Sequence, residues 1–165
     1  MLNQWTGWVG YLEHATPKKL GIFTANPGKG GYTIFAQMLR DRYGVDFQGK
    51  PWCTTFIFAV HPNAGVLGPP CLGVRELARR MLLTGRWRGR HYVPKPGDLI
   101  FCRNHWWERI GHCGIVIEAD DKTVTSIDGN TVDPSGVFSP LDGGAVAMRV
   151  RRRDDWKIAG YAAIG

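Results

Sequence analysis

The chain has 165 residues, 44% of them hydrophobic and 21% charged, which suits one domain with a buried core. No run of about 18 apolar residues occurs, which excludes a membrane-spanning helix. Residues 1–10 lack the charged start and apolar stretch of a signal peptide. The net charge of +7 favours polyanionic surroundings, yet no recognised nucleic-acid motif accompanies it.

Residues 1–31 are rich in Gly, Pro, Lys and aromatics without clear periodicity, and 26–31 reads as a loop. Ile34, Phe35, Met38 and Leu39 have helical spacing, predicting a helix over 32–42. Turns follow around Gly44 and at 48–51. Residues 52–60, WCTTFIFAV, form a compact apolar run that suits either a buried strand or a buried helix. Pro51 offers a helix start there and Pro62 a stop. After a Gly/Pro loop at 63–72, residues 73–83 read as a helix. Leu77, Met81 and Leu82 form its apolar face, and Thr84 and Gly85 end it.

The second half changes character. A turn at 94–98, with Asp98 as turn former, leads into a short strand at 99–102. A loop at 104–111 carries Trp106 and Trp107. Strand-like runs at 113–118 and 122–127 meet at a hairpin signal at 119–121. Further strands lie at 145–150 and 156–161, where Tyr161 and the closing GYAAIG complete the sheet. Helices first and a mostly antiparallel sheet second make an α+β architecture.

The four cysteines, Cys53, Cys71, Cys102 and Cys113, show no zinc spacing. Cys102 and Cys113 lie in apolar runs where a thiol acts as a small hydrophobe, so free thiols and a reducing compartment of synthesis are expected. Basic residues cluster at 79–90 and 149–153, the second run being followed at once by Asp154 and Asp155, which weakens it as an anion patch.

Cys53 stands apart from the other thiols. If 52–60 is a helix, Cys53 lies in its first turn, where free N–H groups and the helix dipole stabilise a thiolate. His112, in GHCGIV, is the candidate base, and Gly111 and Gly114 leave room beside it for a substrate backbone. A three-residue loop at 119–121 pairs Val116 with Val124, Gly114 with Ser126 and His112 with Asp128, with Asn130 on the same face. Each change in loop length shifts that register by one. A carboxylate or amide oxygen behind His112 would accept its Nδ1 proton and fix the tautomer. The set suits acyl transfer through a thioester, with the Cys53 N–H and Gln48 or Tyr32 as oxyanion donors. Trp52, Trp106 and Trp107 are candidate substrate contacts.

At these residues the chain resembles the CHAP family of cysteine, histidine-dependent amidohydrolases and peptidases, within the papain-like group. PWCTTFIFAV at 51–60, PGDLIF at 96–101, GHCGIV at 111–116 and SIDGNT at 126–131 carry the resemblance in that order. The terminal GGAV and IAGYAAIG are similar to the closing strands of such domains in phage lysins. The resemblance implies a papain-like α+β fold with N-terminal helices on a mostly antiparallel sheet. The whole chain, 1–165, would be one domain, with 1–25 as an N-terminal extension.

The resemblance further implies Cys53 as nucleophile, His112 as base, an acidic residue at 128 and Asn130 as an orienting or polarising group. Asp128 is shorter than the glutamate of many relatives, which leaves Asp128 and Asn130 both as candidates for the direct partner of His112. Some relatives bind calcium through closely spaced aspartates before the cysteine. Only Asp41 and Asp46 stand in that stretch here, so no metal and no cofactor is expected.

The implied function is hydrolysis of an amide bond of bacterial peptidoglycan, as an N-acetylmuramoyl-L-alanine amidase or a stem or cross-bridge endopeptidase of the phage-lysin kind. The alternative is a papain-like hydrolase of a non-wall peptide or amide, such as a toxin effector. Peptidoglycan and anionic wall polymers are the expected partners, and neither nucleic acid nor membrane; a monomer is expected. Without a signal peptide, the protein is expected to be made in the cytoplasm and to act on the wall after release or export.

Overall fold

Thr33 has extended backbone angles, and its hydroxyl accepts the Ala36 N–H at 3.1 Å. That cap starts α2 (Ile34–Tyr43), which follows a one-turn helix, α1 (Asn3–Thr6). Gly44 ends α2 in the left-handed conformation, φ 72°, where a side chain would be strained. The ambiguous apolar run becomes α3 (Cys53–Val60), buried along its whole length except at Val60. It is apolar all round because it is packed between α2 on one side and the sheet on the other. The computed structural model describes residues 3–105, 109–133, 136 and 143–165, so Trp106 and Trp107 lie outside the described residues.

A 3₁₀ turn (Ala64–Leu67) leads to α4 (Val74–Leu83). Its buried stripe is Val74, Leu77, Ala78 and Met81, at i, i+3, i+4 and i+7. Leu82 is corrected to the outer face: it is 62% exposed, turned about 100° from Met81 around the helix axis.

Six strands follow among the described residues: β1 (Trp87–Gly89), β2 (Leu99–Arg103), β3 (Ile110–Ala119), β4 (Thr123–Thr131), β5 (Ala145–Arg152) and β6 (Ile158–Ala162). They form one sheet in the order β1-β6-β2-β3-β4-β5, every neighbouring pair antiparallel. The last strand thus inserts between β1 and β2. The protein is an α+β fold, as its element order indicates.

One face of the sheet, with Phe101, Cys113, Ile115, Ile127 and Val146, joins Phe56 and Ile57 of α3 in the main core. The other face carries a smaller cluster of Ile100, Cys102, Val116, Val124, Ile158 and Tyr161. Trp5 and Tyr11 from the N-terminal segment are also buried in the main core. The Trp52 indole donates to Glu13 Oε2 at 2.8 Å, tying that segment to the start of α3. Asp98 is a buried turn anchor, accepting from the Lys95 and Ile164 N–H groups and the Tyr92 hydroxyl.

The β3–β4 register differs from the expected one. Val116 pairs with Ser126, not Val124, and an extra residue between Val116 and Glu118 bulges β3. The slip at that pair is two residues, and because side chains alternate with period two, the residues from Val116 back toward His112 keep their expected face; beyond the bulge, where Glu118 pairs with Thr125, the slip is three. That is why the polar residues expected beside His112 still arrive there.

Candidate active site

Cys53 is the first residue of α3, and Trp52 ahead of it makes no side-chain cap. The first-turn N–H groups of a helix have no partner inside it, so they face whatever sits at the end. The Cys53 thiol is held well below its ordinary pKa. A hydrogen bond from the Cys113 thiol is the largest cause; burial opposes it, and hydrogen bonding and charge from His112 and the Thr54 N–H add to it. Cys113 is pushed the other way, first by burial and then by the neighbouring Cys53 charge. It therefore stays protonated as a donor. All four cysteines are free thiols.

His112 Nε2 lies 2.9 Å from Asp128 Oδ2. This corrects the expected use of Nδ1 toward the carboxylate: Nε2 is taken by Asp128, which leaves Nδ1 for the Cys53 thiol. It also separates the two candidates, because Asp128 is the direct partner of His112. Burial pulls the imidazole pKa down, but the hydrogen bond to Asp128, that to Cys53 and the charges of both outweigh it and lift the value to about 9. Thiolate and imidazolium therefore favour each other.

Asp128 is fully buried, so its charge needs compensation. Arg151 Nη2 donates to Oδ2 at 2.6 Å, Ser126 Oγ donates to Oδ1 at 2.6 Å, and Arg151 Nη1 donates to Ser126 Oγ at 2.8 Å. Burial raises the carboxyl pKa; Arg151 first, then His112 and Ser126, overcome this and hold it well below the usual carboxylate range. Sequence reasoning missed Arg151 and Ser126. Their signal was strand alternation, since 126 and 128 share one face of β4, and Arg149 and Arg151 share the facing side of β5.

Gly111 lines both clefts at Cys53, but Gly114 has a different task from the expected one. A Cβ on Gly114 would lie 2.8 Å from Asp128 Cγ, so its space is filled by the carboxylate rather than by substrate. Gly129 lets α3 approach, since a Cβ there would meet Phe56 Cβ at 2.5 Å. Asn130 follows with φ 53°, where the β4–β5 pairing breaks register.

Two clefts meet at Pro51, Cys53 and Gly111. One, about 550 Å³, runs along Leu72, Val74, Arg75, Arg109 and Ile110. The other, about 630 Å³, contains His112, Asn130, Arg103, Arg149, Arg151 and Lys157. Asn130 thus reaches the cleft without bonding His112. Three expected contacts fall elsewhere. Trp52 is 1% exposed and stacked on Phe35 in the core. The Gln48 amide is spent on the backbone of Thr33, accepting its N–H and donating to its carbonyl. Neither Gln48 nor Tyr32 lines either cleft. Among the described residues, no group of three or more His, Cys, Asp or Glu side chains is placed to hold a metal ion.

The profile of the CHAP domain matches residues 45–130, more than half of the chain, running from before Cys53 through Asn130. The chain belongs to the CHAP family. The match supports a hydrolase of the amidohydrolase or peptidase kind. A search of the curated proteins finds no match to the chain.

Proposed function

We propose that the protein hydrolyses an amide bond of bacterial peptidoglycan through a thioester on Cys53, in the manner of a phage-type lysin. The observation that carries the reading is the chain of contacts from Cys53 through His112 to Asp128 at the start of α3, inside a CHAP domain.

In the resting state Cys53 is a thiolate and His112 an imidazolium. The thiolate attacks the amide carbonyl carbon, forming the C–S bond and placing negative charge on oxygen. The Cys53 N–H, at the positive end of α3, stabilises that oxyanion. The C–N bond then breaks and the amine leaves with the proton from His112. Water attacks the thioester, giving one proton to His112, and the C–S bond breaks to release the carboxylic acid, which ionises to solvent, and restore the ion pair. Asp128 orients the ring and stabilises its charged form, and the Arg151 and Ser126 contacts keep Asp128 ionised. Asn130 is placed to donate or accept at the substrate in the cleft. The positive surface charge would draw the enzyme to anionic wall polymers.

The test is digestion of purified walls by the wild type and by Cys53→Ala, with the released muropeptides read by mass spectrometry. Wild type releases new amino termini and Cys53→Ala does not. No release from walls of any type, alongside turnover of soluble peptides, would move the activity to a non-wall amide. Identical profiles from the two proteins would remove Cys53 from the mechanism.

A further inference from the structure

Both clefts are basic, the first through Arg75 and Arg109, but the second carries more cationic side chains and only it contains His112. That arm is lined by Arg103, Arg149, Arg151 and Lys157, and no Asp or Glu lines it among the described residues. Arg151 is neutralised from behind by Asp128. Arg149 has no hydrogen bond or ion pair with any side chain among the described residues. It lies on the same face of β5 as Arg151 and opposite Ser126. Among the described residues the Arg103 side chain reaches only the Trp156 carbonyl, at 3.3 Å. Lys157 is exposed and lies 5.9 Å over the Trp156 ring. The nearby Asp155 accepts the Lys157 backbone N–H. The two following acidic residues offset part of this basic run: Asp154 pairs with the exposed Arg152, whose position in β5 alternates with those of Arg149 and Arg151, and the Asp155 charge acts on Arg151, which leaves Arg149 without an acidic partner among the described residues.

Direction follows from the chemistry of the proposed reaction. His112 must give its proton to the leaving amine, so the leaving group occupies the arm that contains His112. The acyl group lies across Cys53 in the other arm. Uncompensated guanidinium and ammonium groups in a concave site favour an anion with planar, paired oxygens.

Resting on the proposed amide hydrolysis, we propose that the His112 arm is a carboxylate-binding subsite, and that the amine released is an amino acid or short peptide carrying at least one free carboxylate. Arg149 and Lys157 are its specificity-determining residues, with Arg103 at its edge.

Binding to the Cys53→Ala protein reads the subsite without turnover. The probes are a dye-labelled Ala-Glu-Gly-Glu with a free C-terminus and its uncharged counterpart, Ala-Gln-Gly-Gln-amide. The acidic peptide should bind about tenfold or more tighter, each charged hydrogen bond contributing at that scale. The preference should collapse on adding Arg149→Gln and Lys157→Gln and fall with rising salt. In the active enzyme, N-acyl forms of both peptides should differ in kcat/KM in the same sense. Equal binding of the two peptides overturns the proposal, as does a short oligonucleotide that outcompetes the acidic peptide, which would assign the arm to phosphates. Failure of the active enzyme to cleave either N-acyl peptide, with the binding preference intact, would count against the hydrolysis reading alone.

Discussion

The two faces of the sheet are built from the same strands and do opposite things. Toward α3, Phe101, Ile115, Ile127 and Val146 meet Phe56 and Ile57 in an apolar core. On the other face the apolar cluster stops short, and the neighbouring positions hold Ser126, Asp128, Arg149 and Arg151. Alternation along a strand lets one residue serve the core while the next serves the cleft. The thiols show the contrast most plainly. Cys102, on the second face, has its pKa pushed up by burial to about 11. Cys53, also buried, is driven down by the hydrogen bonds and charge around it. Burial alone therefore does not decide the state of a thiol; the partners supplied at the end of α3 do.

The contrast breaks most completely at Cys53. Cys53→Ala should lower kcat on the order of 10⁴-fold or more while leaving the melting temperature near that of the wild type. Phe56→Ala should do the reverse, costing about 3–5 kcal/mol of stability in chemical denaturation because it opens the helix-facing core. Gly114→Ala sharpens the comparison, since it adds one methyl group on the polar side. It should displace the Asp128 carboxylate from His112 and reduce kcat/KM by about 100-fold, with a smaller loss of stability. Unchanged activity in Gly114→Ala would show that the Asp128 position is not critical.

The pH profile supplies a finer test. The active pair needs the Cys53 thiolate and the His112 imidazolium together. Activity should fall on the acid side as the depressed Cys53 thiol takes up its proton, and on the alkaline side near pH 9 as His112 loses its proton. Asp128→Asn removes a charge that raises His112, so the alkaline limb should move to lower pH. An alkaline limb that stays in place would detach it from His112. The smallest effect is in labelling order: iodoacetamide at about pH 6 should modify Cys53 before Cys71, Cys102 or Cys113, because only Cys53 has a lowered pKa.

Much of the fold was legible because its signals are local. The turn at Gly44 and the apolar spacing of α2 and α4 act within a few residues of one another. β1 was not legible, since Trp87–Gly89 has no alternation of its own and exists only because β6 returns to pair with it. The candidate site was half legible. Cys53 and His112 could be named from their neighbourhoods. The hairpin brought Asp128 to the right face even though its register was two residues out.

By itself, then, the sequence determined which residues could do chemistry, that Cys53 would open a segment, and that His112 and Asp128 would share a face. These follow from residue type and from the periods of helix and strand. The tertiary structure decided that Asp128 rather than Asn130 touches His112, that Nε2 makes the contact, and that Trp52 and Gln48 belong to the scaffold. It also drew Arg151 out of a charged run and set it behind Asp128. Such decisions depend on distances between chain segments far apart in sequence, set by a bulge in β3, the missing Cβ of Gly114 and the approach of α3 over Gly129.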